Sequence, residues 1–216
     1  VPYCAVTTNQ LSLAHMRSYP WRWLVSPFRP YTDNWLSGYA LDNGAYVYGK
    51  RGQEFDEKPF LRDVERYGEG ADFVVIPDVL ENAQATLAQA EKWIERLSGL
   101  RLLIVAQDGM KRSDLESFCK RGIGVFVGGS TDWKLASIAW ISRLCNEYQV
   151  LCHVGRVNTL KRMRLCIRDG AHSFDGSGAA VFENTARLLT HHLLQYEHDL
   201  FPNRFDCIKQ KYMEAV

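Results

Sequence analysis

Short apolar or β-branched runs recur along the chain at residues 3–7, 39–41, 73–76, 102–106, 125–127 and 150–154, with a weaker one at 172–174. None has a polar alternate face, which is the pattern of a strand buried on both sides. Between the later runs the period lengthens. Leu87, Ala90, Ile94 and Leu97 recur at helical spacing, as do Leu135, Ile138, Ile141 and Cys145, then Leu160, Met163 and Ile167. Strand alternating with helix predicts a parallel sheet. Seven such strands, with an eighth placed near 23–25, predict an α/β fold of the TIM-like (β/α)8 barrel type, compact and irregular near its N-terminus.

Local punctuation refines this outline. Ser113 and Glu116 have capping-box spacing and predict a helix over 114–121, with Gly122 as its stop. Pro20, Pro27 and Pro30 interrupt the stretch from Asn9 to Trp35, which reads as an irregular connection holding one helix and one strand. Phe182, Ala186, Leu189 and Leu193 form a last amphipathic stripe, and Pro202 opens a mixed tail over 200–216.

With 216 residues, 46% of them hydrophobic, the chain can bury one core, so a single domain over 1–216 is expected. A net charge of +1 provides no global field toward nucleic acid, and any such contact must come from a local patch. The six cysteines are scattered without a CxxC pair or a leading signal segment, so free thiols in a reducing cytoplasm are expected. No apolar run approaches the roughly 20 residues a membrane helix needs. His191, His192 and His198 have spacings that do not share one helix face, and no metal site is expected.

If the strands close into a barrel, their C-terminal ends bring Asp42 to Tyr46, Asp78, Gln107, Gly128, Gly129, His153 to Arg156 and Asp175 to one mouth. Each Asp taken alone could be a helix cap and each Gly a turn. Together they supply three carboxylates, an amide, a close-approach backbone, an aromatic face and two basic groups. Beyond this mouth, Arg156, Lys161, Arg162, Arg164 and Arg168 cluster with no acid between residues 155 and 168, and Lys134 follows the Gly-Gly pair. Such a cluster fits either phosphate contacts or a solvated helix face.

Several of these segments, in order, resemble the queuine tRNA-ribosyltransferases, or tRNA-guanine transglycosylases, and their compact relatives acting on DNA. Asp42-Asn43-Gly44-Ala45-Tyr46 resembles D-S-G-G-F/Y, Ile76-Pro77-Asp78 the base-reading Asp, and Val105-Ala106-Gln107-Asp108-Gly109 the V-Q-G-G segment. Val127-Gly128-Gly129-Ser130 is similar to the G-G-L loop, Leu151-Cys152-His153-Val154-Gly155 to L-M-G-V-G, and residues 170–175 to G-[IV]-D-x-F-D.

The resemblance implies exchange of guanine for a 7-deazaguanine, with Asp175 as nucleophile and Asp42 as general acid/base. Asp78, Gln107, Gly128 and Gly129 would then read the base, Tyr46 and Cys152 would lie against its two faces, and His153 would share the pocket. Core packing is the alternative for Tyr46 and Cys152. Arg156, Lys134, Lys161 and Arg162 would hold nucleic acid. The C-x-C-x-x-C zinc motif of the tRNA enzymes is missing, so no cofactor is expected. The expected partners are DNA and a free 7-deazaguanine base; the alternatives are tRNA as the substrate, or a non-catalytic nucleic-acid-binding subunit of such an enzyme.

Overall fold

The computed structural model describes residues 1–29 and 38–200. Eight parallel strands close into a barrel in chain order. They are β1 (Pro2–Ala5), β2 (Arg22–Val25), β3 (Tyr39–Leu41), β4 (Val74–Val75), β5 (Leu102–Ala106), β6 (Gly124–Val127), β7 (Cys152–Val154) and β8 (Ser173–Asp175). Closure comes from β1, which pairs with β2 through Tyr3 opposite Arg22 and with β8 through Tyr3 opposite Asp175. The TIM-like (β/α)8 expectation is met, and the eighth strand is β2.

The intervening helices are α1 (Gln10–Met16), α2 (Ala45–Lys50), α3 (Glu57–Tyr67), α4 (Ala83–Arg96), α5 (Arg112–Cys119), α6 (Thr131–Glu147), α7 (Leu160–Arg168), α8 (Ser177–Val181) and α9 (Glu183–Leu200). Side-chain caps start most of the longer ones. Asn9, Asp56, Asn82, Ser130 and Thr159 each accept a hydrogen bond from a first-turn amide that has no helical partner. Helix α5 corrects the expected start. Its N-cap is Lys111, and the Asp114 carboxylate reaches back to the Lys111 amide at 2.8 Å, so Ser113 lies inside the helix. Gly122 does end that segment, at φ +81°. The 9–35 connection holds α1 and β2, and its part from 30 to 35 lies outside the described residues, as does the 201–216 part of the expected tail.

Two apolar layers follow from strand alternation, because successive side chains point to opposite faces. Outward residues such as Trp23, Leu41, Ile104, Val125 and Cys152 pack under the helices. Inward residues Tyr3, Ala40, Phe73, Val75, Leu103 and Val105 fill the barrel. Trp21, Trp23, Phe60 and Phe73 are almost wholly buried, each contributing on the order of 1.5–3 kcal/mol or more through lost apolar exposure. At the N-terminal end of the barrel the Tyr3 hydroxyl donates to Asp72 Oδ2 at 3.0 Å, and Arg22 pairs with the other oxygen of Asp72. Tyr3 and Arg22 thus satisfy the Asp72 carboxylate at that end, while a cleft of about 620 Å³ opens beside it between Arg101, Gly124, Leu151 and His172.

Candidate active site at the barrel mouth

At the C-terminal rim a cleft of about 420 Å³ is lined by Asp42, Tyr46, Asp78, Gln107, Gly128, Gly129, Arg156 and Asp175 together with Arg29, Asn43, Asn158 and Ser177. Eight of the sequence-selected residues therefore share one space. Its size falls within the range of small-molecule sites, roughly 300–1,000 Å³.

Asp175 ends β8. Its Oδ1 lies 3.1 Å from His153 Nε2, and His153 Nδ1 lies 2.8 Å from Ser173 Oγ. All three side chains share the inner face because β7 and β8 pair with His153 opposite Ser173. The imidazole is fully buried among Phe126, Phe73 and Tyr3. Burial lowers its pKa, while the Asp175 charge pulls the other way. Gly155, beside this pair, has no room for a side chain, since a Cβ there would lie 2.6 Å from the Phe126 ring and 3.4 Å from Asp175 Oδ1.

Asp42 follows β3. Its carboxyl opens onto the cleft but sits deep in the rim, where burial first, then the Asp175 and Asp78 charges, push its pKa up to about 7. The Gly44 amide donates to Asp42 Oδ2 at 3.3 Å and offsets part of that shift. An acid near neutrality is suited to giving and taking a proton in one cycle.

Asp78, after β4, is raised to about 6, chiefly by burial. Asn43 donates to its Oδ1 at 3.0 Å and Gln107 Nε2 to its Oδ2 at 2.5 Å. Asn43 also donates to the Ile76 carbonyl at 2.8 Å and accepts from the Ala45 amide at 2.7 Å, so the side chain is locked. The sequence reading assigned Asn43 no role; its spacing one residue after Asp42 was the available signal. Gln107 gives one of the two N–H donors of its amide to Asp78, and its Oε1 is buried without a hydrogen-bond partner among the described residues.

Gly129 has φ +69°, a left-handed conformation that favours glycine, and a side chain there would collide with Asp108 and Trp133. Asp108, a second residue the sequence reading passed over, accepts from the Ser130 amide at 2.6 Å and from the Ser130 hydroxyl, and so pins the Gly-Gly turn. Arg156 is also left-handed, at φ 60°. Its guanidinium donates to the Gly129 carbonyl and lies over the Tyr46 ring. A non-glycine residue held this way costs roughly 1 kcal/mol or more, which these contacts offset.

Five of the selected residues lie outside this lining. Cys152 was expected against a base, yet alternation turns it outward, with Sγ 3.4 Å from Ser142 Oγ in the layer under the helices. Lys134 was expected to meet phosphate. It is instead 4% exposed and donates to the Gly155 carbonyl at 2.6 Å. Burial, then Arg156, pushes its pKa down to about 8. His153 lies beneath the cleft rather than in its lining. Lys161 and Arg162 sit in the first turn of α7, where Arg162 also donates to the Arg156 carbonyl at 3.3 Å. Together with Arg164 and Arg168 they border a second surface groove. Among the described residues, no three His, Cys, Asp or Glu side chains come close enough to hold a metal ion, and no helix is long and apolar enough to cross a membrane.

No family model matches the chain, and no curated protein matches it. Solved structures do. QR15, an aldolase, matches at 12% identity and a TM-score of 0.51, covering 90% of this chain and 96% of that one. RipC from Yersinia pestis matches at 12% identity and a TM-score of 0.51 over 88% of this chain and 94% of that one. Identity this low shows a shared barrel and nothing finer. The resemblance to tRNA-guanine transglycosylases is corrected accordingly. Polar and glycine residues at strand ends are common to barrels of many chemistries, and the two matching structures named above, QR15 and RipC, carry other names. The fold is consistent with an enzyme.

Proposed function

We propose that the mouth catalyses glycosyl transfer at a purine nucleotide of DNA, exchanging guanine for a 7-deazaguanine through a sugar-Asp175 intermediate. The observation that carries it is one cleft holding a carboxyl poised as an acid near neutrality, Asp42, beside a second carboxylate, Asp175, anchored by a buried histidine.

In the first step an Asp175 oxygen bonds to C1′ as the C1′–N bond to guanine breaks, and the leaving nitrogen takes the electron pair with the Asp42 proton. In the second, the incoming base gives its ring N–H proton to Asp42, its nitrogen bonds to C1′, and Asp175 leaves as carboxylate. Two displacements on one carbon retain the anomeric configuration. The Asp78 carboxylate, steadied by Asn43 and Gln107, suits the N–H donors of a guanine edge. A paired base must be flipped out to reach the cleft, at a cost of a few kcal/mol offset by phosphate contacts from Arg156, Lys161 and Arg162. The steps draw only on side chains of this chain.

Incubation with radiolabelled guanine and either duplex DNA or tRNA tests the reading. Label is expected in DNA. Label in tRNA alone would overturn the choice of polymer, and label in neither would overturn base exchange.

A further inference from the structure

We propose that Ser173 and His153 form a positioning relay that holds Asp175 by one oxygen and turns the other toward the substrate carbon. The relay deepens the glycosyl-transfer reading and rests on Asp175 being its nucleophile.

The geometry sets the direction of each hydrogen bond. An ionised carboxylate can only accept, so the proton between Asp175 Oδ1 and His153 Nε2, 3.1 Å apart, belongs to Nε2. The neutral ring then has a bare lone pair at Nδ1, which the Ser173 hydroxyl, 2.8 Å away, fills by donating. Reversing the tautomer would face the Nε2 lone pair with the carboxylate.

The surroundings hold the ring in that state. Phe126 stacks on it at 4.9 Å, and Phe73 and Tyr3 close it in at 5.0 and 5.5 Å. The charged side chains acting on the ring are Asp175, which favours protonation, and Lys134, which opposes it. Among the described residues Asp175 Oδ2 has no side-chain partner, and Asp175 is left 13% exposed at the cleft. A carboxylate free to rotate would present either oxygen or neither, and a misplacement near 1 Å can cost about 10²-fold in rate.

The first measurement is independent of activity. Two-bond ¹H–¹⁵N correlations on ¹⁵N-histidine protein, with His153 assigned by its loss in His153→Gln, should show a neutral ring protonated at Nε2 between about pH 7.5 and 8.5. An Nδ1-protonated ring, or one charged in that range, would overturn the relay. The second is kinetic. His153→Phe keeps the ring volume without the N–H and should lower kcat roughly 10²-fold with KM for DNA little changed, while His153→Gln, which keeps a donor, should recover about 10-fold of that loss. A folded His153→Phe protein with wild-type kcat would also overturn it. If the wild type exchanges no base, the glycosyl-transfer reading fails while the tautomer result still decides the relay.

Discussion

The guanidinium of Arg156 lies over the ring of Tyr46, 4.8 Å from its centroid, and so covers the aromatic face on which a base would stack. A base entering the cleft from this side must displace a cation from a π-face, an interaction worth about 0.5–1 kcal/mol where solvent reaches it. Arg156→Ala should therefore bind free guanine a few-fold tighter and an oligonucleotide weaker, the latter through a lost phosphate contact. Calorimetric titration of the two ligands checks this; changes of the same sign would contradict it.

The two raised carboxyls set a narrow pH window. Asp78 must be ionised to accept base N–H groups and is half ionised at about 6, while Asp42 must carry a proton to release the leaving base and is half protonated at about 7. The DNA-dependent kcat/KM should rise with pH through about 6 and fall through about 7, as a profile belonging to the coupled pair. Asp42→Asn should remove the basic limb along with most of the rate. A profile flat from pH 5 to 9 would exclude these roles.

The same shifts act on stability. Both folded-state pKa values lie above those of an exposed Asp, so between about pH 4 and 7 the folded chain holds protons that the unfolded chain has lost. Their contribution thus lowers stability as pH rises through that window. Asp42→Asn should denature at higher urea than the wild type at pH 8 and show little difference at pH 4, and a loss of stability at pH 8 would contradict the burial assigned to Asp42.

Much of the fold was legible because a barrel strand is apolar on both faces and its neighbours are capped helices. The missed elements had weaker signals. Helix α2 is only six residues and contains Gly49, and α8 is five residues built on Gly178. Helix α3 was readable in principle, since Asp56 caps a stripe of Phe60, Val64 and Tyr67. Of the site, Asp42, Asp78 and Asp175 were legible as acids at strand ends, whereas the inward turn of His153 and outward turn of Cys152 depend on register in a three-residue strand. The burial of Lys134 was foreshadowed, because it shares a helical stripe with Ile138, Ile141 and Cys145. What short Gly-Asp motifs could not supply was kinship.

Salt should report the cations of α7. Lys161 is exposed and Arg162 half-buried in its first turn, and each phosphate they neutralise releases about 0.9 of a counterion. Replacing both by Ala should flatten the slope of log Kd for duplex DNA against log salt by roughly 1.8. An unchanged slope would place the polymer elsewhere.

The helix layer offers a control remote from the mouth. Phe60 is fully buried and packs against Trp93 with ring centroids 5.9 Å apart. Phe60→Ala should cost about 3–5 kcal/mol of unfolding free energy by leaving a cavity, with the pH profile of any surviving activity unmoved. A cost below about 1 kcal/mol, read by urea denaturation, would show that this layer is loosely packed.

The most direct test of glycosyl transfer is intact mass after mixing the protein with a guanine-containing oligonucleotide and no free base, followed by denaturation. The account predicts a protein-DNA adduct lacking one guanine on the wild type, mapped to Asp175 and absent from Asp175→Asn. An adduct that persists in Asp175→Asn, or base exchange that proceeds in the wild type with no adduct trapped at any time, would contradict it.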